Sequence, residues 1–216
     1  MGDRYCGPVA EPWNHNNHYH PLILAAVPPG SQRALDVGCG SGLLARKLRR
    51  SVPQVAAIDR NEPVLRRARR EDDGAGVEYL LGDFLDCRFR PESFDVIVSV
   101  AALHHMDVAA ALGRMRDLLR PGGTLIVVGL ARSELPADLP RELAAAAVNL
   151  LLRTWHRDWA QARAQRVRGE VMAPVVWPPA HSYRQLRQLA AEVLPGARYR
   201  RLLLWRYCLI WAKAAG

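Results

Sequence analysis

The sequence predicts an α/β fold: a doubly wound sheet of mostly parallel strands, with helices on both faces and a helical cap inserted late in the chain. Two observations carry the sheet. Between residues 34 and 130, five short apolar runs alternate with segments of helical spacing, and most junctions hold a cap or turn signal. The cap rests on a third, because residues 131–181 break that alternation over a stretch too long for an ordinary loop. At 216 residues, half of them apolar and 24% charged, the chain can bury a core and fits one domain that carries an insertion.

Residues 34–37 form a short apolar strand interrupted by one acid, Asp36. In residues 41–50, Leu43, Leu44 and Leu48 recur at helical spacing among basic residues. Residues 55–59 make the second strand. Asn61 then caps a helix whose first turn holds Pro63, a place where the missing N–H costs nothing. Residues 77–81, 94–100 and 124–130 supply the third, fourth and fifth strands. The helix at 108–119 stops at Arg120-Pro121-Gly122-Gly123, where proline and glycine end it. Right-handed crossovers place the carboxyl ends of these strands along one edge, where such sheets bind ligands.

Within the insertion, residues 143–152 are apolar and helical, residues 155–168 alternate aromatics with arginines, and Pro174, Pro178 and Pro179 close the segment. Beyond it lie a helix at 183–192, a turn at Pro195-Gly196 and two β-rich stretches within 199–212.

Composition narrows the function. No apolar run reaches the roughly 18 residues of a membrane span. The polar start, residues 1–20, lacks the pattern of a secretory signal, so a cytoplasmic protein with no membrane partner is expected. Cys6, Cys39, Cys87 and Cys208 are far apart and make neither a disulfide framework nor a zinc pattern. A net charge of +9 raises nucleic acid as a partner. All but Lys47 and Lys213 of the 30 basic residues are arginines, however, and they cluster on helix exteriors such as Arg66, Arg67, Arg69 and Arg70. A solvated face is the default reading of such clusters, and nucleic acid is not expected.

The chemistry gathers at Gly38-Cys39-Gly40-Ser41-Gly42, which leaves a strand and opens a helix. Glycines there let a ligand approach the main chain without meeting a Cβ. Alone, the turn suits a dinucleotide, an adenosyl group or no ligand at all. Asp36, two residues before it, would repel a pyrophosphate at the helix start and would suit a cationic ligand. Leu43 stands where the dinucleotide fingerprint needs glycine or alanine. Asp59, at the end of the second strand, can accept both hydroxyls of a ribose.

Residues 34–42, Ala-Leu-Asp-Val-Gly-Cys-Gly-Ser-Gly, resemble the first motif of class I S-adenosylmethionine-dependent methyltransferases. The family's other signatures follow in order: Ala57-Ile58-Asp59, Leu81-Gly82-Asp83-Phe84, Phe94-Asp95-Val96-Ile97-Val98-Ser99, and Leu119 through Leu125 around Pro121-Gly122-Gly123. The resemblance implies S-adenosylmethionine as cofactor. It also implies a seven-stranded sheet whose last two strands form an antiparallel edge hairpin. The cofactor-binding set it implies is Tyr19, Asp36, Gly38, Gly40, Asp59, Arg60, Asp83, Phe84 and Val100, with Asp83 facing the adenine amino group and Phe84 packing on the ring. A segment before the first motif folds over the cofactor in related enzymes, which brings in Tyr19 or His20. His15, His18 and His20 make a poor metal site, being a local run without a carboxylate.

His104 and His105 follow the fourth strand, where a methyl acceptor should sit, and histidine can take a proton from a hydroxyl or ammonium group. They are the candidate catalytic residues. Trp155 and Trp159 share a helical face and either line an acceptor pocket or pack in a core. After the fourth strand, Ser99-Val100-Ala101-Ala102 replaces the Asn/Asp-Pro-Pro-Tyr/Phe of base-methylating relatives, and no Pro-Cys pair exists for a cysteine-nucleophile mechanism. The expected activity is methyl transfer to an O or N atom of a small molecule, in secondary metabolism. An RNA or protein methyltransferase is the alternative, and a non-catalytic cofactor-binding protein the third reading.

Overall fold

A computed structural model describes residues 13–72, 74–155 and 178–216. The first long-range framework is the run of apolar strands: β1 (Arg33–Val37), β2 (Gln54–Asp59), β3 (Glu78–Leu81), β4 (Phe94–Val100) and β5 (Leu119–Gly129). Two further strands, β6 (Arg198–Arg201) and β7 (Tyr207–Ala212), complete a seven-stranded sheet of order β3-β2-β1-β4-β5-β7-β6. β1 to β5 pair in parallel, whereas β7 runs antiparallel to both β5 and β6. The doubly wound sheet with its antiparallel edge hairpin is therefore the expected one.

Among the described residues six α-helices intervene: α1 (His20–Ala25), α2 (Leu43–Leu48), α3 (Glu62–Arg70), α4 (Val108–Leu118), α5 (Leu139–Trp155) and α6 (Tyr183–Val193). Their starts follow local chemistry. The Asn61 side chain accepts from the Val64 N–H, with Pro63 in the first turn of α3. Asp107 does the same for α4 through the Ala110 N–H, and Ser182 with Gln185 forms a capping box on α6.

Alternation along the strands divides the core. Leu35, Val37, Ile97, Leu125 and Val127 face one side and pack with Leu112 and Met115 of α4 and Leu186 of α6. Ala34, Val96, Val98, Ile126 and Val128 face the other and pack with Ile23 of α1 and Leu44 and Leu48 of α2. Fully buried apolar strands of this kind are what parallel sheets require.

The largest boundary difference from the expectation lies at β5. β5 begins at Leu119, ahead of the Pro121-Gly122-Gly123 turn signal, because Leu119 pairs with Phe94 and a register shift before Val96 absorbs the intervening residues. Of the insertion, α5 is described to residue 155, while Trp159 and Pro174 lie outside the described residues. Among the described residues, no helix is long and apolar enough to cross a membrane.

The chain winds outward from the centre in both directions, β1 to β3 one way and β4 to β5 the other. β1 and β4 are neighbours, so the crevice lies outside their carboxyl ends, at residues 37–42 and 100–105.

Candidate active site

The turn after β1 is held from behind by β2. The N–H groups of Gly38 and Cys39 both donate to the Ile58 carbonyl, at 2.9 and 3.1 Å. Gly38 and Gly40 both have left-handed backbone, but for different ends. A Cβ at Gly38 would stand 2.2 Å from the Ala102 Cβ, so this glycine lets the end of β4 close against the turn. A Cβ at Gly40 would meet nothing within 4 Å. Gly40 therefore faces open space, a cradle in which a ligand can approach the main chain.

Asp59 organises that cradle. Its carboxylate accepts from the Gly40 N–H at 2.9 Å and the Asn61 N–H at 2.8 Å, and its carbonyl accepts from Gly82 N–H at 3.1 Å. One residue thus ties together the turns after β1, β2 and β3. Each carboxylate oxygen has a second acceptor direction, so capacity remains for ligand hydroxyls.

Asp36 is buried on the α2 side of β1, and its Oδ2 has no hydrogen-bond partner. Burial pushes its carboxyl up to about 7, the nearby Asp59 charge adds to this, and the Ala45 N–H opposes it. A buried carboxylate oxygen without a partner beside an open cradle suits a cationic ligand. The Cys39 thiol in the same turn is driven far up by burial and by Asp36 and Asp59, so it is no nucleophile.

Asp83 accepts the Leu85 N–H at 2.9 Å and shapes the turn after β3. The Phe84 ring, 2% exposed, belongs to the core with Phe89 and Phe94, and the Arg114 guanidinium lies over it. With its ring committed to the core, what Phe84 has left to offer a ligand is its main chain. Arg60 is exposed beside Asp59, and Val100 is half-buried at the end of β4.

After β4, Ala101 takes a left-handed φ of 52° while its N–H donates to the Val128 carbonyl. That turn presents a short 3-10 helix, Leu103–His105. The His104 and His105 rings lie 4.0 Å apart, and the Nδ1 atoms of both are buried without partners. Burial, followed by the charges of His105 and Arg206, lowers His104 to about 4. His105 is lowered by burial and by Arg60, with Asp59 opposing. Both are neutral at pH 7, His105 sensing the charges of Arg60 and Asp59 and His104 that of Arg206.

The segment before β1 divides its roles. The Tyr19 hydroxyl donates to the Leu203 carbonyl at 2.6 Å, and burial raises it to about 12. His20 lies 3.3 Å from Lys47 Nζ on α2, and burial and that charge lower it to about 4. His15 and His18 both pack edge-on against Trp13, and the polar partners of His15, His18 and His20 are Asn149, Trp13 and Lys47 respectively.

A cavity of about 560 Å³ opens beyond the end of β5. Its walls come from residues just after β5 (Arg132, Ser133), from Glu142 of α5, and from Trp205 and Arg206 at the start of β7. β7 runs opposite to β5, with Tyr207 paired to Gly129, so its beginning meets the end of β5 at this edge. None of these residues is among the candidate site residues that the sequence marks. The available signal was a lone arginine between Trp205 and Tyr207 at the head of an apolar strand, easily lost among the many surface arginines.

A doubly wound sheet with a glycine cradle over acidic strand ends defines an α/β enzyme that holds a nucleoside-bearing ligand at its switch point. A family model described as a methyltransferase domain matches residues 35–127. An uncharacterized methyltransferase of Mycobacterium tuberculosis is 42% identical over 206 residues, 93% of this chain and 97% of its own length. The ubiquinone biosynthesis O-methyltransferase of Ralstonia nicotianae is 30% identical over 164 residues, 69% of this chain and 68% of its own. A SAM-dependent methyltransferase structure from Aquifex aeolicus, 16% identical, shares the fold with a TM-score of 0.58 over 89% of this chain and 88% of that one. The chain belongs to the class I S-adenosylmethionine-dependent methyltransferases, and S-adenosylmethionine is its cofactor.

Proposed function

We propose that this enzyme transfers a methyl group to an O or N atom of a small molecule, within secondary metabolism and in the cytoplasm. The observation that carries the reading is the cavity of about 560 Å³ beyond β5, a size suited to enclosing a small ligand. The relative named a ubiquinone biosynthesis O-methyltransferase is consistent with it. Free thiols at Cys39, Cys87 and Cys208 suit a reducing compartment.

When bound, S-adenosylmethionine supplies a methyl group on a cationic sulfur, already activated for displacement. The residues present fit it. Asp59 would hold the ribose hydroxyls on the acceptor directions that its backbone bonds leave free, and Asp83 would receive the adenine amino group. Asp36 would face the cationic part of the ligand, and Gly40 would leave room for its approach. Gly38, Val100, Arg60 and Tyr19 are the further residues that the family resemblance assigns to the cofactor. The protein's share of the rate is then alignment of the acceptor lone pair and exclusion of water. His105 takes the proton of the acceptor hydroxyl or ammonium, and His104 packs against it in the neutral form.

The test is to incubate the full chain with S-adenosylmethionine and small molecules bearing hydroxyl, carboxyl or amino groups, with RNA and peptides in parallel. The expected result is release of S-adenosylhomocysteine with methyl recovered on a small molecule. Transfer to RNA or peptide and to no small molecule would establish the macromolecular alternative instead.

A further inference from the structure

Arg206 is 7% exposed, yet no carboxylate among the described residues pairs with it. Its guanidinium donates only to neutral acceptors: Nη2 to Asn16 Oδ1 at 2.8 Å, and Nη1 to the Leu204 and Trp205 carbonyls at 3.3 and 3.4 Å. Nε is buried without a partner. A buried cation in this state is costly, because charges removed from water are ordinarily paired. Burial lowers it to about 10, with Tyr183 and Tyr19 opposing, so it stays charged at neutral pH.

The surroundings leave that charge for a ligand. Arg206 lines the cavity beyond β5. Glu142, the carboxylate on the same wall, is already engaged: Trp205 Nε1 donates to it at 2.7 Å, and the Ser133 hydroxyl donates to its other oxygen. Leu204 and Trp205, just before Arg206, both adopt left-handed backbone, with φ of 54° and 58°. That costly turn sets the guanidinium inward, where the Leu202 N–H closes it on the Arg206 carbonyl at 2.8 Å. None of the lining residues comes from the turns after β1, β2 or β3 that make the cradle. Nε–H has no partner and Nη2 carries two hydrogens for its one bond to Asn16; these two nitrogens form the side of a guanidinium that receives a carboxylate with two parallel bonds.

We propose that Arg206 anchors a carboxylate on the methyl acceptor, so that the substrates are small carboxylic acids. This rests on the small-molecule reading above. The edge of the sheet is then polarised, with Asp36 and Asp59 facing a cationic donor and Arg206 facing an anionic acceptor.

The test uses the full chain loaded with S-adenosylhomocysteine, titrated with benzoate, malonate, benzamide and inorganic phosphate, and followed by calorimetry and thermal shift. Benzoate or malonate should bind saturably at millimolar concentration, and benzamide should not. Arg206→Met should weaken carboxylate binding about tenfold or more while leaving S-adenosylhomocysteine affinity unchanged, and Arg206→Lys should fall between. Saturation by phosphate alone, or equal binding of benzamide, would overturn the carboxylate assignment. Loss of S-adenosylhomocysteine affinity in Arg206→Met would place the residue in the donor site or the fold and overturn it too. A chain that binds S-adenosylhomocysteine and ignores both carboxylates overturns this inference but not the methyl-transfer reading. Carboxylate binding through Arg206 without methyl transfer to any small molecule overturns that reading and not the anion site.

Discussion

Asp36 shows how a single residue couples stability to ligand binding. Its carboxyl is raised to about 7 in the fold, so the native state holds a proton that the unfolded chain has released. Its contribution to stability is full below the ordinary carboxylate range, falls as pH rises towards 7, and is flat above. Asp36→Asn removes that titration. At pH 8 the unliganded variant should be more stable than wild type by on the order of 4 kcal/mol, with the difference vanishing near pH 4. Thermal melts of the two proteins across that range check it, and parallel curves would show that Asp36 does not titrate in the fold. A cationic ligand reverses the balance, since it favours the ionised form. S-adenosylmethionine affinity should therefore tighten up to about tenfold per pH unit below 7 in wild type and stay level in Asp36→Asn. Asp59 carries a second residue-scale prediction. Asp59→Ala should weaken cofactor binding by roughly one to a few kcal/mol, the order of a charge-assisted bond, and unchanged affinity by calorimetry would mean the ribose is held elsewhere. For the histidines, His105→Ala should lower turnover about ten- to hundredfold with little change in cofactor affinity. His104→Ala should cost less, because a group lowered to about 4 is a weak base at neutral pH. Full activity in both variants would remove them from the chemistry.

At the scale of the element, the turn between β1 and α2 separates two jobs that its sequence runs together. Gly38 is pressed against Ala102, whereas Gly40 faces open space. Gly38→Ala should destabilise the protein by about 2–4 kcal/mol, adding a left-handed alanine to an overpacked contact. Gly40→Ala should cost about 1 kcal/mol of stability, for its backbone alone, and should lose most of its function in cofactor affinity. Denaturant unfolding alongside calorimetry would read the two costs apart, and equal stability losses would mean both glycines serve packing. The glycine pattern was legible from the sequence, but this division was not, because it depends on where β4 ends relative to β1. The same contrast runs through the strands. The cores of β1, β2, β4 and β5 were legible because each is buried on both faces and reads as an apolar run. β6, with the sequence Arg-Tyr-Arg-Arg, has no such run. It is an edge strand recognisable only from its pairing with β7.

Over the whole molecule, the candidate donor residues were legible in the sequence and the residues of the cavity beyond β5 were not. Asp36, Asp59 and Asp83 fall next to strand ends that the sequence marks, so short-range pattern located them. Arg206 is made significant by Asn16, Leu204 and a cavity built from elements far apart in the chain, and no local pattern reports the burial of a charge. The net charge of +9 is likewise a property of the whole surface and not of any one motif. Part of the basic surface is matched in pairs spread over the fold, including Arg66 with Glu62, Arg67 with Glu71, Arg120 with Asp95, and Lys213 with Glu92. Such exposed pairs add little stability. Whatever attraction to RNA remains should be non-specific, with affinity falling steeply and linearly in log–log form between 50 and 200 mM salt. Cofactor binding, made largely of sheltered contacts at the switch point, should hardly change over the same range. At about a hundredfold excess over its Kd, S-adenosylhomocysteine should stabilise the fold by about 2.7 kcal/mol. For a chain of this size that corresponds to a rise in Tm of roughly 5–10 °C, at low and moderate salt alike. A shift that collapses with salt in step with RNA binding would mean that ligand and nucleic acid share one electrostatic surface. A shift that persists while RNA binding disappears keeps the positive charge outside the chemistry.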